Sequence, residues 1–293
     1  MTPAGVAGPS LKDRVDVHLH LSRWWPDIKR TGYIPNLDYS LRGLLSEMDT
    51  AGITAGLLLP VFEAPSAEEA LREAVEHARA SMGRLRPVAT VYPDPGKKSV
   101  QAVVATWDDV PELAAIKLFP GYRPFYPHDP ALEPAYEYAA RRHLPVMIHQ
   151  GDTLTPNGLL KYARPIEVDE VAVAHRDVNF VLCHLGNPWV EEAAELVYKN
   201  QNVYADTSGL LPHPSAPYFL RALERARAAV QGAIETVGNA SRFLYGSDWP
   251  LESLHSAVEV VERLSLHGKD REAILGGNAR RLYQPAPPVG RRS

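Results

Sequence analysis

Cysteine is nearly absent from this chain. Cys183 stands alone in 293 residues, so no internal disulfide can form and no Cys-rich structural zinc site can be built. A single thiol also suits a reducing cytoplasm. No apolar run approaches the roughly 20 residues that a membrane-spanning helix needs. The opening residues, Met-Thr-Pro-Ala-Gly-Val-Ala-Gly-Pro-Ser, lack the charged start and apolar stretch of a secretory signal, so a cytoplasmic location is expected. No basic stripe is present and the formal net charge is -4, which argues against nucleic acid as a partner. No Gly-x-Gly-x-x-Gly follows the first apolar segment, which argues against a dinucleotide-binding open sheet.

What is present is ordinary in bulk and ordered in detail. The 45% hydrophobic and 23% charged fractions are those of a globular protein. Eight short apolar segments, each bounded by Gly, Pro, Asn or Asp, read as buried parallel strands: 15–20, 53–60, 86–93, 114–120, 145–150, 179–185, 202–207 and 242–248. Segments with helical spacing lie between and after them, at 40–51, 66–82, 97–106, 129–143, 166–175, 188–200, 217–237 and 253–266. The first carries Leu41, Leu44, Leu45 and Met48 on one stripe. The second opens on Ser66, a helix cap followed by acids in the first turn. Eight β-then-α units in one chain predict an α/β fold, a single-domain (β/α)8 TIM barrel over 13–283. An open doubly wound sheet is the alternative. Residues 1–12 form a short N-terminal segment, and the Pro-rich tail 284–293 is expected to be disordered.

The histidines carry the chemistry. Four of the 11 end apolar strands: His18 and His20 in Val-Asp-Val-His-Leu-His, His149 after Pro-Val-Met-Ile, and His184 after Phe-Val-Leu-Cys. Asp248 ends the eighth strand in the same way. On a strand, residues i and i+2 share a face, so His18 and His20 would both project into the barrel mouth. A His-x-His pair alone is close to chance, and a single strand-end His is more often a core residue bonded to backbone. The joint pattern is more specific. Strand 8 closes against strand 1 in a barrel, which puts Asp248 beside His18 and His20 at the face where barrel enzymes keep their sites. A carboxylate in such a place is costly to bury unless it is paired or metal-bound.

These residues resemble the amidohydrolase superfamily, and the local wording resembles its amidohydrolase-2 branch. The matching stretches are Asp-Val-His-Leu-His, Ile-Lys-Leu-Phe-Pro-Gly, Pro-Val-Met-Ile-His-Gln-Gly-Asp, His-Leu-Gly, Tyr-Ala-Asp-Thr-Ser-Gly, Tyr-Gly-Ser-Asp-Trp-Pro and a late Gly-Asn-Ala-Arg-Arg-Leu-Tyr. The branch holds hydrolases, lactonases and non-oxidative decarboxylases. The resemblance implies that His18, His20, His149 and Asp248 hold one divalent ion, zinc by preference. His184 would be a second-metal ligand or a free imidazole facing substrate. Asp248 and His184 would be the catalytic pair, Asp248 moving the proton of a metal-activated water and His184 stabilising the developing oxyanion. Lys117, in the fourth strand, would bridge a second ion if carbamylated; otherwise it snorkels or pairs with Asp206 or Asp248.

Further positions border the expected site. Trp24 follows strand 1, Tyr122 and Arg123 follow strand 4, and Trp249 follows Asp248; these join Lys117 as candidate substrate contacts, Arg123 for a carboxylate. Asp206 ends strand 7 and would support a metal ligand from behind. Cys183 would point away from the mouth if its neighbour His184 points in. The function read first is a metal-dependent hydrolase of a small carbonyl compound, a lactone or other cyclic ester being favoured. A decarboxylase of an aromatic or muconate-like acid is the alternative, and a non-catalytic binding barrel the third reading. The expected partner is a small molecule, with neither nucleic acid nor membrane, and association with further copies of the chain stays open.

Overall fold

The computed structural model describes residues 13–25, 37–94 and 96–283. The expected N-terminal segment 1–12, the tail 284–293 and residues 26–36 after the first strand lie outside the described residues. Eight parallel strands follow one another around a ring: β1 (Arg14–His20), β2 (Ile53–Leu59), β3 (Leu85–Thr90), β4 (Ala115–Leu118), β5 (Val146–Ile148), β6 (Phe180–Leu182), β7 (Val203–Asp206) and β8 (Phe243–Leu244). The ring closes where β8 returns to β1. Val17 N donates to Tyr245 O at 3.1 Å, Asp248 N to His18 O at 2.9 Å, and His20 N to Trp249 O at 2.8 Å. Closure removes the open sheet as a description, and the chain is a single-domain (β/α)8 barrel.

The helices of the outer layer are α1 (Leu41–Ala51), α2 (Ala67–Ala80), α3 (Val100–Val104), α4 (Glu133–Arg142), α5 (Asp169–Ala174), α6 (Val190–Lys199), α7 (Phe219–Val237) and α8 (Leu254–Glu262). Local chemistry sets their ends. Ser40 and Ser66 accept from the amides of Gly43 and Glu69, capping α1 and α2. Gly52 ends α1 in the left-handed region. Two further helices, α9 (Gly268–Glu272) and α10 (Asn278–Leu282), were not expected from apolar spacing. Ala279, Leu282 and Tyr283 join the core inside the ring, and Arg86 at the start of β3 donates to Tyr283 O. Among the described residues, no helix is long and apolar enough to cross a membrane.

Strand alternation divides the core in two. Val146 and Ile148 face the helices, whereas Met147 faces the interior with Val88, Val181 and Leu244. β1 breaks this rule to build the site. Its register against β2 shifts between Asp16 and Leu19. Val15 and Val17 belong to the inner core, but Leu19 belongs to the outer one, so the bulge hands the inward face to His18 and His20. Phe180 tests the outer core: it is fully buried and meets Tyr136 edge-on at 5.8 Å. Phe180→Ala should cost about 3–5 kcal/mol in denaturant unfolding; a loss under about 1 kcal/mol would mean that this layer is loosely packed.

Candidate active site

A cavity of about 470 Å³ opens at the C-terminal ends of the strands. His18, His20, His149, His184 and Asp248 all border it. Among the described residues, two groups of side chains hold donor atoms within 4.8 Å of one another and could bind a divalent ion: His18, His20 and Asp248, and His18, His184 and Asp206. In the first group, Asp248 Oδ1 stands 3.5 Å from His18 Nε2 and 3.4 Å from His20 Nε2. His18 Nε2 is buried without a hydrogen-bond partner, which suits a nitrogen that ligates. In the second group the facing atoms are already hydrogen-bonded. Asp206 Oδ2 accepts from His18 Nδ1 at 2.9 Å, and Ser208 Oγ lies 3.0 Å from His18 Nδ1 and 2.9 Å from His184 Nδ1. Ser208 in turn donates to Asp206 Oδ1 at 2.5 Å, and His184 N donates to the same oxygen at 2.9 Å. Asp206 thus holds a proton on His18 Nδ1 and leaves its Nε2 lone pair free.

His149 borders the cavity but falls outside both tight groups. Its Nε2 donates to Asp152 O at 3.0 Å, which leaves Nδ1 unprotonated, and its ring lies 4.6 Å from Tyr122 and 5.0 Å from His184. Backbone strain marks the other two. Asp248 has φ 63° and His184 φ 60°, left-handed values that residues other than glycine adopt infrequently. Gly209 makes room here: a Cβ on it would lie 2.5 Å from His184 Nδ1. The left-handed turn also corrects the expectation for Cys183. It and Val181 belong to the inner core, and His184 borders the cavity as well, because the turn at His184–Leu185 breaks strand alternation.

Lys117 is fully buried, borders the cavity and donates to Cys183 Sγ at 2.9 Å. Of the alternatives expected for it, the ion pair with Asp206 or Asp248 does not form, and Cys183 takes that place. Tyr122 lines the cavity and stacks on Phe62 at 4.3 Å. Three other candidate contacts lie elsewhere. Arg123 is drawn away by Phe62 O at 3.1 Å, Asp94 at 3.7 Å and the Tyr92 ring. Trp249 is fully buried in the core, with Nε1 donating to Glu47 at 3.1 Å and its ring stacked on Tyr39. Trp24 does not line the cavity; its neighbour Trp25 does, edge-on to His20 at 5.9 Å. Sequence reading passed over Ser208 and Phe62. The i, i+2 step from Asp206 would have placed Ser208 on the same face, and Phe62, just past β2, lies at the site-bearing end of the barrel.

Burial governs the charges. Desolvation, with the Lys117 charge, pushes the His18 imidazole down to about 3 against the pull of Asp206. Burial, then His184 and Lys117, holds His149 well below its usual range. Burial lowers His184 too, against Asp248. Burial alone would raise the Asp248 carboxyl, but His184, a hydrogen bond from His20, and His18 outweigh it and hold it at about 2. Asp206 is held below the usual carboxylate range by His18, His184 and Ser208 despite burial.

An amidohydrolase family model matches residues 15–284. The gamma-resorcylate decarboxylase of Polaromonas sp. (strain JS666) is 30% identical over 87 residues, which are 30% of this chain and 22% of that protein's length. The chain therefore spans under a quarter of the curated relative it matches. A zinc-bound amidohydrolase structure from Burkholderia multivorans superposes with a TM-score of 0.70 at 19% identity, covering 94% of this chain and 100% of the other. A dihydroxybenzoic acid decarboxylase from Polaromonas sp. JS666, with manganese and 2-nitroresorcinol bound, gives 0.66 at 17% identity, covering 93% and 97%. At those identities the two structures speak to the fold. The family match spans nearly the whole chain, and the protein belongs to the amidohydrolase family, a class of metal-dependent barrel enzymes.

The depressed imidazoles set a pH dependence. With His18 near 3 and an ordinary histidine at 6.5, the unfolded chain binds more protons than the folded one between those values. His149 and His184 add in the same sense, and Asp206 and Asp248 extend it below an ordinary aspartate. These groups taken alone make stability rise with pH through this window, while the buried carboxyls of Asp16, raised to about 7, and Glu252, raised well above its ordinary value, act in the opposite sense. Substitution separates the two: in metal-free protein the drop in Tm from about pH 7 to about pH 4.5 should be smaller, or the rise larger, in His149→Gln than in wild type. An identical change in the two proteins would contradict the His149 environment.

Proposed function

We propose that the protein is a metal-dependent, non-oxidative decarboxylase of a small aromatic or cyclic carboxylic acid, in place of the lactone hydrolase that the sequence put first. The observation that carries this reading is the 30% identity over 87 residues to gamma-resorcylate decarboxylase. The cavity supports it. Phe62 and Tyr122 stack at 4.3 Å on its wall, and Trp25 and Phe119 add flat apolar surface suited to a ring. The fully buried Lys117 brings positive charge to the same cavity for an acid substrate.

His18, His20 and Asp248 would hold the ion, with His149 as a fourth ligand through its unprotonated Nδ1; the buried, unpartnered His18 Nε2 and the nearby Asp248 oxygen fit a zinc or manganese ion. A divalent ion supplies Lewis-acid polarisation of a substrate oxygen. The chain's own groups supply the rest. Asp206 orients His18, and Ser208 holds His184 through Nδ1, so His184 Nε2 is left for substrate. Asp248, ionised near neutrality, takes the proton of the substrate's acidic group and returns it to the ring carbon. The C–C bond electrons stay with that carbon as carbon dioxide leaves, and they form the new C–H bond.

Metal-loaded protein should release carbon dioxide from hydroxybenzoic acids and leave lactones closed. Lactone opening without carbon dioxide release would return the assignment to a hydrolase. Asp248→Asn should lower turnover by about 10²–10⁴-fold while Tm changes little. Turnover within threefold of the parent would remove Asp248 from the proton path.

A further inference from the structure

The seam between β1 and β8 carries a carboxylate that the site chemistry does not use. Asp16 is fully buried. Its Oδ1 accepts from two amides at once, His18 N at 2.9 Å and Ser247 N at 3.1 Å. One amide belongs to His18 itself, and the other is one residue before Asp248. The β1 bulge, between Asp16 and Leu19, takes His18 out of regular register, so its amide needs another acceptor. At the next residue the backbone of Asp248 enters the left-handed region, with φ 63°. Gly246, on the same turn, has no room for a side chain, since a Cβ there would lie 2.9 Å from His18 Cβ. The two strand ends are pressed together, and Asp16 ties both.

We propose that Asp16 is a positioning residue: its Oδ1 joins the His18 and Ser247 amides across the seam and so sets the separation of the His18 imidazole from the Asp248 carboxylate. This rests on the reading of His18, His20 and Asp248 as the ion's ligands. Asp16 touches neither ion nor substrate in this role. It acts through the backbone, as partners behind metal ligands do, and such partners commonly change metal affinity by about 10–100-fold when removed. A merely structural carboxylate would change Tm and leave the affinity of the folded fraction alone.

The test compares wild type, Asp16→Ala and Asp16→Asn by zinc titration against a chromophoric chelator, with Tm measured on the same samples. Asn keeps an acceptor oxygen at the same place and loses the charge. The expected result is about 10–100-fold weaker zinc binding for Asp16→Ala and rescue to within about threefold by Asp16→Asn. Wild-type affinity in a folded Asp16→Ala protein overturns the proposal. If Asp16→Ala does not fold, Asp16→Asn decides: near-parental affinity supports the shared acceptor, and a tenfold or greater loss overturns it in favour of charge. A wild-type protein that binds no zinc or manganese fails earlier, at the reading of the three ligands, and is thereby distinguished from a failure of Asp16 alone.

Discussion

One backbone bond, from Asp248 N to His18 O at 2.9 Å, lays the end of the last strand against the end of the first. The candidate centre depends on it. His18 and Asp248 come from opposite ends of the chain, and only ring closure makes them neighbours. Six further strands space the ring so that His149 and His184 face the same opening. The outer helices bury one face of each strand, and α10 with Tyr283 fills the interior from the other end. A closed, filled ring is stiff, and stiffness is what a multi-strand site needs from its scaffold.

Polar groups concentrated inside such a ring are costly unless each finds a partner. Asp206 meets much of that cost. Its two oxygens accept from His18 Nδ1, His184 N, Ser208 Oγ and Ser208 N. The result is a hydrogen-bonded layer beneath the cavity that fixes two imidazoles and their protonation. The strain at His184 and Asp248 is sustained by this layer and by the seam. His18 Nε2 stays unpartnered and faces Asp248, where an added ion would satisfy it.

The strands were legible because each is a short apolar run between turn residues, and the ring followed from their number and spacing. The ligand-type residues were legible because they end those runs. Three things were not. The β1 bulge leaves no mark in Val-Asp-Val-His-Leu-His, although it decides that His18 rather than Val17 faces the cavity from there on. The left-handed turn at His184 and Leu185 put Cys183 and His184 on one side, where alternation separated them. Long side chains were least readable: Arg123 and Trp249 found partners in Asp94 and Glu47 on other elements, and Lys117 found Cys183 rather than a carboxylate. Contacts of that kind depend on packing between distant segments, which local spacing does not encode. α9 and α10 were missed because Gly268–Leu282 is rich in Gly, Lys and Arg and shows no long apolar stripe.

The position of a bound metal ion decides whether His18, His20 and Asp248 are its ligands. Crystals soaked in zinc or manganese and measured at the metal's absorption edge would show it directly. The expected anomalous peak lies within bonding distance of His18 Nε2, His20 Nε2 and Asp248, with His149 Nδ1 completing the set, at about 2.0–2.2 Å for zinc. A peak bound instead by His18, His184 and Asp206, or no peak at any of these side chains, would contradict it.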